Sequence, residues 1–245
     1  MPCEVPVPRY AVYFVPAADT PLYRAGAALI GYDVYSGARL PLPPGLERDD
    51  GAWSAVTAAP RVYGFHATLK APFRLAPGTG AQELAAAVLS FAGDWRESVT
   101  ITPSLAVLGG GFAALLPDAP CPALDRLAAA CVRAFEAFRA PLTAVERRRR
   151  LAEPLTARQR AHLERWGYPH VFEDFRFHMT LTGPLAASRQ PAVLAGLRTG
   201  LGAVAGAPFA VDRIALVHQS GPGSRFRVIA SAPFAGRHRS VICGE

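Results

Sequence analysis

Two four-residue stretches, His66-Ala67-Thr68-Leu69 and His178-Met179-Thr180-Leu181, decide the fold of this 245-residue chain. Side chains alternate along a strand, so the His and the Thr of each stretch are predicted to share one face. The residues between and after them are apolar and are predicted to point into the core. Each stretch therefore indicates a half-buried strand that presents a His–Thr pair to a cleft.

The order of predicted elements repeats between the two halves of the chain, with the motif histidines 112 residues apart. Adding the same offset to a predicted helix over 82–91 gives 194–203, which is also predicted to be helical. Adding it to a predicted strand over 99–107 gives 211–219, which is also predicted to be a strand. In each half a Gly-rich turn and a returning strand follow. The predicted fold is α+β: a bilobal, pseudo-symmetric duplication in which two antiparallel sheets line a central cleft and helices lie outside.

The rest of the chain fits this plan, and we expect residues 1–245 to form one bilobal domain with interleaved lobes. Residues 36–60 are rich in Pro, Gly and Asp and are predicted to be a loop with about one helical turn. The other predicted elements are strands over 9–15, 63–69, 112–116, 175–181 and 225–230, and helices over 21–32, 124–138 and 156–166.

Composition describes a globular protein with a basic surface. Half of the residues are hydrophobic, 18% are charged and the net charge is +7, which excludes a disordered chain and favours anionic ligands such as phosphate esters or nucleic acid. No apolar stretch is long enough to span a bilayer, and the first residues lack the pattern of a signal peptide. These features predict a cytoplasmic protein.

The cysteines predict neither a disulfide framework nor a metal site. Cys3, Cys121, Cys131 and Cys243 are scattered, so free thiols in a reducing compartment are expected. A zinc site built on the motif histidines is disfavoured because Cys, Asp or Glu at ligand spacing is missing. No metal or organic cofactor is implied.

Two His–Thr pairs that face each other suit a phosphodiester. One imidazole can accept a proton from an attacking water or hydroxyl while the other donates a proton to the leaving oxygen, because the ordinary pKa of histidine is about 6.5. The threonine hydroxyls can hold the non-bridging oxygens without a metal. His66, Thr68, His178 and Thr180 are therefore the predicted catalytic residues, and pseudo-symmetry leaves open which histidine is the base.

Paired H-x-[ST]-L strands about a hundred residues apart resemble the two-histidine (2H) phosphoesterase superfamily, which has the 2',5'-RNA ligase-like fold. The flanks resemble the branch found in bacterial phosphonate-utilisation operons. These flanks are Arg9–Phe14, Tyr63–Phe73, Trp166–Pro169 and Phe175–Gly183.

The resemblance implies a hydrolase, a metal-independent cyclic phosphodiesterase that acts on a small phosphorylated substrate of carbon–phosphorus lyase metabolism. An RNA 2',3'-cyclic phosphodiesterase or 2',5'-ligase-like enzyme is the first alternative. A non-catalytic protein that binds a nucleotide or an RNA end is the second. Hydrolysis or ligation, the exact substrate and the oligomeric state stay open.

Further residues near the motifs are candidates for binding the substrate, each with a structural alternative. The aromatic ones could stack on a sugar or base, or simply pack in the core. The basic and hydroxyl-bearing ones could hold phosphate, or else be solvated, paired with an acid or bonded to the backbone. These candidates are Tyr13, Tyr63, Lys70, Tyr168, Arg176 and Thr182.

Other polar residues are predicted to be structural. The run Arg147–Arg150 is typical of a solvated helix face and only sometimes of a nucleic-acid patch. His162, His170, His218 and His238 are assigned no site role.

Overall fold

The computed structural model of the chain describes residues 7–46, 51–235 and 239–243. Cys3 and His238 lie outside the described residues. The helices are α1 (Pro21–Ile30), α2 (Ala52–Val56), α3 (Ala58–Arg61), α4 (Ala81–Asp94), α5 (Pro122–Ala134), α6 (Ala144–Leu151), α7 (Ala157–Trp166) and α8 (Gln190–Leu201). The strands are β1 (Arg9–Phe14), β2 (Ala67–Phe73), β3 (Glu97–Ile101), β4 (Pro103–Val107), β5 (Phe112–Pro117), β6 (Met179–Pro184), β7 (Phe209–Val211), β8 (Arg213–Gln219), β9 (Arg227–Pro233) and β10 (Arg239–Ile242).

The helix boundaries follow from capping residues that the sequence displays. Helix α1 begins after Thr20, whose hydroxyl accepts from the Tyr23 N–H, and it ends at Gly31, which has a φ of 75°. Helix α7 begins with a capping box between Thr156 and Gln159 and ends at a glycine in the left-handed region. The predicted helices over 21–32 and 156–166 are thus confirmed, because the side chains satisfy the free N–H groups of the first turn.

The two motif strands are neighbours in one seven-stranded antiparallel sheet with the order β4-β5-β6-β2-β1-β8-β9. The α+β class, the antiparallel pairing and the outer helices are confirmed. The two expected sheets are joined, however, because β2 and β6 meet through the pair Ala67 and Met179. A second, three-stranded sheet has the order β10-β3-β7, with β10 parallel to β3.

The duplication is visible in the small sheet. Strands β3 and β7 pair antiparallel with Val99 opposite Val211, two residues separated by the offset of the motif histidines. The strand predicted over 99–107 is divided at Thr102 into β3 and β4, and the chain is divided likewise at Asp212 between β7 and β8. In each half, the first segment enters the small sheet and the second enters the large one.

Apolar side chains from both halves form one core between the sheet and its helices. Leu69 and Leu181, which follow the motif threonines, are both buried in this core together with Ala67 and Met179. Helix α5 packs on β2, and helix α4 packs on β8 and β9. The core side of each motif strand is therefore fixed, which leaves the opposite side for the cleft.

Two expectations about the rest of the chain need correction. Cys121 and Cys243 form a disulfide with their Cα atoms 5.2 Å apart, whereas Cys131 is free and buried, so the prediction of free thiols fails for this pair. In the described part of 36–60, which excludes residues 47–50, α2 and most of α3 stand where about one helical turn was expected. Across the part of the chain that the structure describes, no helix combines the length and apolar character needed to cross a bilayer.

Candidate active site

A cavity of about 500 Å³ opens along the motif strands, in the size range of small-ligand sites. His66, Thr68 and Thr180 line it, and tyrosines and arginines form much of its wall. His178 does not line the cavity and stands at its edge, where its ring lies 5.8 Å from that of the lining residue Phe112. The structure thus brings the four predicted catalytic residues to one region.

Both histidines stand immediately before their strands, not inside them as predicted. Strand β2 begins at Ala67 and β6 begins at Met179. In each case Nδ1 bonds to the carbonyl oxygen two residues earlier, that of Gly64 at 2.9 Å and that of Arg176 at 2.8 Å. This shared bond holds each imidazole at the entry to its strand.

The carbonyl contacts define the tautomer of both rings. A carbonyl oxygen can only accept, so Nδ1 carries the proton in the neutral imidazole and Nε2 keeps its lone pair. At His66 the Thr68 hydroxyl donates to that Nε2 across 3.2 Å. Each ring is therefore oriented through Nδ1 and has Nε2 left for chemistry.

His66 is held neutral. The Tyr13 ring stacks on its imidazole with 3.8 Å between ring centroids. Burial lowers the pKa of His66 to about 4; the Gly64 carbonyl opposes this shift, and positive charge on His178 adds to it. At neutral pH this imidazole is consequently a proton acceptor.

Burial also lowers the pKa of His178. The bond to the Arg176 carbonyl works against this shift, and charge on the nearby His170 adds to it. Because a proton on His178 disfavours one on His66, the two rings are electrostatically coupled. The pair is arranged to hold one proton more readily than two.

The tyrosine candidates form one side of the cavity. Tyr63 lies with its ring centroid 6.2 Å from that of His66 and stacks on Phe226 at 5.4 Å. Tyr168 lines the cavity as well, and its ring is covered by the guanidinium of Arg150 at 4.9 Å. Tyr63 and Tyr168 are therefore placed where a sugar or base could contact them, whereas Tyr13 is buried and serves as the support on which His66 stacks.

Lys70 was predicted to face the phosphate, and the structure shows a different environment for its ammonium. The Nζ atom donates to the Val132 carbonyl at 2.9 Å and to Glu136 at 2.8 Å, and the side chain is 4% exposed. The register between β1 and β2 shifts beyond the motif, since Tyr13 pairs with Thr68 but Val12 pairs with Lys70. This irregularity breaks the simple alternation and turns the lysine towards helix α5.

Thr182 is displaced in the same way on the second strand. It is fully buried, and its hydroxyl accepts from the Ala113 N–H at 2.9 Å. Strand β6 is irregular here, because Phe112 pairs with Pro184 while Ala114 pairs with Thr180. Thr182 is also among the residues that line the cavity, and the bond of its hydroxyl to the Ala113 backbone, which joins β5 to β6, agrees with the structural alternative predicted for it.

Arg176 was predicted to share the catalytic face, and this expectation is wrong for its side chain. The side chain is exposed and lines a separate shallow depression with Asp125, Arg126 and Arg133. Only its carbonyl oxygen serves the site, by orienting His178.

Arg9 and Arg150 line the cavity and were missed from the sequence. Arg9 lies at an even spacing from Tyr13 on β1, so strand alternation could have placed it on the same face. Arg150 ends a run of arginines that was assigned to solvent. Helical periodicity alone could not separate it from its neighbours, because every position in that run is basic.

Within residues 7–46, 51–235 and 239–243, no group of three or more His, Cys, Asp or Glu side chains is arranged to hold a metal ion. The polar atoms that face the cavity belong mainly to imidazole, hydroxyl and guanidinium groups. Such groups bind phosphate oxygens through hydrogen bonds and charge.

Each motif thus places an oriented histidine immediately before its strand and a threonine two residues on, the arrangement that the sequence predicts for a two-histidine site. The model of one family, described as Protein of unknown function (DUF1045), matches residues 68–227. The chain belongs to this family.

Two curated relatives are similar over most of the chain. "Ribose 1,5-bisphosphate phosphokinase PhnN" of Janthinobacterium sp. (strain Marseille) is 36% identical over 243 residues, which cover 94% of this chain and 51% of that protein. The protein of the same name from Laribacter hongkongensis (strain HLHK9) is 34% identical, covering 90% and 50%. The chain thus spans about half the length of these relatives.

Solved structures of E. coli LigT are also similar. The complex with 3'-AMP gives a TM-score of 0.41 at 14% identity and covers 93% of this chain and 98% of that chain. The apo form gives a TM-score of 0.42 with the same identity and coverage.

Proposed function

We propose that the protein is a metal-independent phosphodiesterase that opens a small cyclic phosphate, with His66 as general base and His178 as general acid. The observation that carries this proposal is the matched orientation of the two imidazoles. Each is fixed through Nδ1 to a carbonyl two residues earlier and keeps Nε2 for proton transfer.

The difference between the two rings supports the division of roles. His66 is covered by Tyr13 and has a pKa of about 4, so it is neutral and ready to accept a proton. His178 stands at the cavity edge, and its charge further disfavours protonation of His66. When the pair carries one proton, that proton lies on His178 rather than on His66, and there a leaving oxygen can take it.

The proposed reaction adds water across one P–O bond. His66 Nε2 takes a proton from water as its oxygen attacks phosphorus, and the bond to one ring oxygen breaks. His178 Nε2 gives its proton to that oxygen, so the product carries one phosphomonoester and one free hydroxyl. In this reaction the Thr68 hydroxyl turns from His66 Nε2 to a non-bridging oxygen when the substrate binds, which frees Nε2, and Thr180 on the adjacent motif strand donates to a second oxygen as negative charge builds up.

The relatives named ribose 1,5-bisphosphate phosphokinase PhnN support a ribose-based substrate and a role of this protein in phosphonate metabolism. These relatives are named as kinases, but each is about twice as long as this chain. We do not assign the kinase activity to this chain. We also propose that the two halves of the chain act as one bilobal unit, because residues from both line the same cavity.

The test is hydrolysis of a panel of cyclic phosphates in the presence of EDTA. The panel contains 2',3'-cyclic nucleotides, an RNA oligomer ending in a cyclic phosphate, and ribose 1,2-cyclic phosphate with a 5-phosphate. His66→Ala and His178→Ala should each lower turnover by about a hundredfold or more, as expected for the loss of an acid or base. His218→Ala is the matched control, since His218 lies on β8, outside the motif strands, and its ring packs against Tyr10 at 4.9 Å.

The proposal would be overturned if no member of the panel is hydrolysed. It would also be overturned if turnover is unchanged in both motif variants. Turnover confined to the RNA oligomer would assign the enzyme to RNA ends instead of a small molecule.

A further inference from the structure

The cavity wall is rich in cations, and some of them are already paired with carboxylates. Lys70 and Arg139 both bind Glu136, at 2.8 Å and 2.6 Å, and Arg74 binds Glu146 at 3.1 Å. These cations are neutralised by the protein itself. They consequently have less to offer to an anionic ligand.

Arg9 is oriented towards the cavity without a carboxylate partner among the described residues. Its Nε and Nη2 atoms donate to the Gln219 side-chain oxygen at 2.8 Å and 2.6 Å. The guanidinium also lies 5.7 Å from the centre of the Phe226 ring. A neutral amide and an aromatic ring fix its direction and leave its positive charge uncompensated.

Arg150 reaches the same cavity from helix α6, and among the described residues no carboxylate forms an ion pair with it. Its guanidinium covers the Tyr168 ring at 4.9 Å. Burial lowers the pKa of Arg150, and the charges of Arg149 and Arg9 lower it further, while Tyr168 and Glu146 oppose this. Two guanidinium groups without a carboxylate partner among the described residues thus line one cavity, and Arg150 is partly desolvated there, an arrangement that a bound anion would relieve.

We propose that Arg9 and Arg150 form a second anion-binding subsite, which takes a phosphomonoester on the same substrate whose cyclic phosphate lies between the motif histidines. This inference rests on the proposed function and names its substrate class: a sugar that carries two phosphate groups. Guanidinium groups suit this role because their N–H donors match phosphate oxygens in pairs.

The tyrosines connect the subsite to the reacting centre. The Tyr13 ring stacks on His66. The Tyr13 hydroxyl interacts electrostatically with Arg9 and with the hydroxyls of Tyr63 and Tyr168. A sugar that lies along the half-buried rings of Tyr63 and Tyr168 has its cyclic phosphate at His66 and its other phosphate at the arginines. Hydrolysis then yields a sugar with two phosphomonoesters, so the reaction that consumes this product must accept a sugar bisphosphate.

The acidic groups at the cavity limit where the second phosphate can lie. Glu146 is bound to Arg74 and to the Thr143 N–H, and Glu153 lines the wall beside Tyr168. Arg149 also lines the cavity but is exposed. The phosphate is therefore assigned to Arg9 and Arg150, the two lining arginines that combine partial burial with the lack of a carboxylate partner among the described residues.

The kinetic test compares ribose 1,2-cyclic phosphate with and without a 5-phosphate. Arg150→Gln should raise KM for the phosphorylated substrate by about 10-fold to 100-fold, the range for losing a charge-assisted hydrogen bond, and leave KM for the other substrate nearly unchanged. Arg148→Gln is the matched control, because Arg148 lies on the same helix, is exposed and does not line the cavity. Arg9→Met should repeat the Arg150 result from a different strand.

Equal rises in KM for both substrates, or the same rise in Arg148→Gln, would overturn the subsite. A binding measurement separates this outcome from failure of the proposed function. Calorimetric titration of the wild type with ribose 1,5-bisphosphate and ribose 1-phosphate, which lacks the phosphate assigned to the arginines, needs no turnover. At least a tenfold preference for the bisphosphate, lost in Arg150→Gln and kept in Arg148→Gln, supports the subsite even if no cyclic phosphate is hydrolysed, whereas no preference refutes it.

Discussion

Acid should destabilise the folded protein through His66, because this imidazole is buried in its neutral form. Tyr13 covers one face of the ring, and the Gly64 carbonyl occupies Nδ1. The pKa of His66 is about 4 in the folded protein, compared with about 6.5 for an unperturbed histidine. Above the unfolded value the ring is neutral in both states and contributes no pH dependence.

The sign and size of the effect follow from this difference. Between pH 6.5 and 4 the unfolded chain binds a proton that the folded chain refuses, so the free energy of unfolding falls as the pH falls. One pKa unit corresponds to about 1.36 kcal/mol, which gives a full loss of about 3 kcal/mol below pH 4. About 2 kcal/mol of it should be lost by about pH 5.

Urea denaturation of the wild type and of His66→Gln across this range is the assay. Carboxylates and other histidines titrate in both proteins, so the difference between the two curves isolates His66. The variant should lose about 2 kcal/mol less than the wild type between about pH 7.5 and pH 5. Parallel curves, or an imidazole resonance of His66 that titrates near pH 6.5 by NMR, would refute the reasoning.

Three further changes test the surroundings of the motifs by urea denaturation. Gly64→Ala should cost about 2–4 kcal/mol, because its φ is 78° and an added Cβ would lie 2.6 Å from the Val34 side chain; a cost under about 1 kcal/mol contradicts this. Glu136→Gln should cost about 3–5 kcal/mol because it leaves buried Lys70 without its carboxylate, and an unchanged midpoint would show that the lysine is solvated. Thr182→Val should cost about 1–3 kcal/mol because a buried N–H of β5 loses its acceptor, and it should leave KM unchanged; a rise in KM would restore this residue to the binding site.

The sequence predicts those features that depend on local pattern. The capping residues Thr20 and Thr156 and the terminal glycines mark helix ends in the chain itself. The repeated offset predicts that 99 and 211 are equivalent, and the structure pairs these two residues across β3 and β7. Local pattern is enough here because caps and alternation act over a few residues.

Features that depend on strand register could not be predicted. Lys70 and Thr182 each follow a motif threonine by two residues, so strict alternation predicts that they face the cleft. The pairing of β2 with β1 and of β6 with β5 is irregular at these points, and both side chains are buried with other partners. A register irregularity depends on the neighbouring strand and leaves no mark in the sequence of the strand itself.

Features that depend on contacts between distant parts of the chain could not be predicted from the sequence either. The Cys121–Cys243 bond joins residues 122 positions apart, and nothing in the spacing of scattered cysteines predicts it. Arg150 becomes part of the cavity only because Tyr168 lies beneath its guanidinium. Such residues acquire their role from tertiary contacts and not from their own segment.

The neighbours of the two motifs explain how a duplicated pair of histidines can have opposite roles. The motif itself is repeated down to the bond from Nδ1 to the carbonyl two residues earlier. What differs is the adjacent strand: β1 contributes Tyr13, which stacks on His66 at 3.8 Å, whereas β5 contributes Phe112, which is tilted against His178 at 5.8 Å. A closely stacked ring is desolvated and stays neutral, while a ring at the cavity edge keeps a proton at lower cost. In the proposed reaction the strands next to the two motifs therefore determine which histidine accepts a proton and which donates one. Two equivalent imidazoles would give proton transfer no preferred direction.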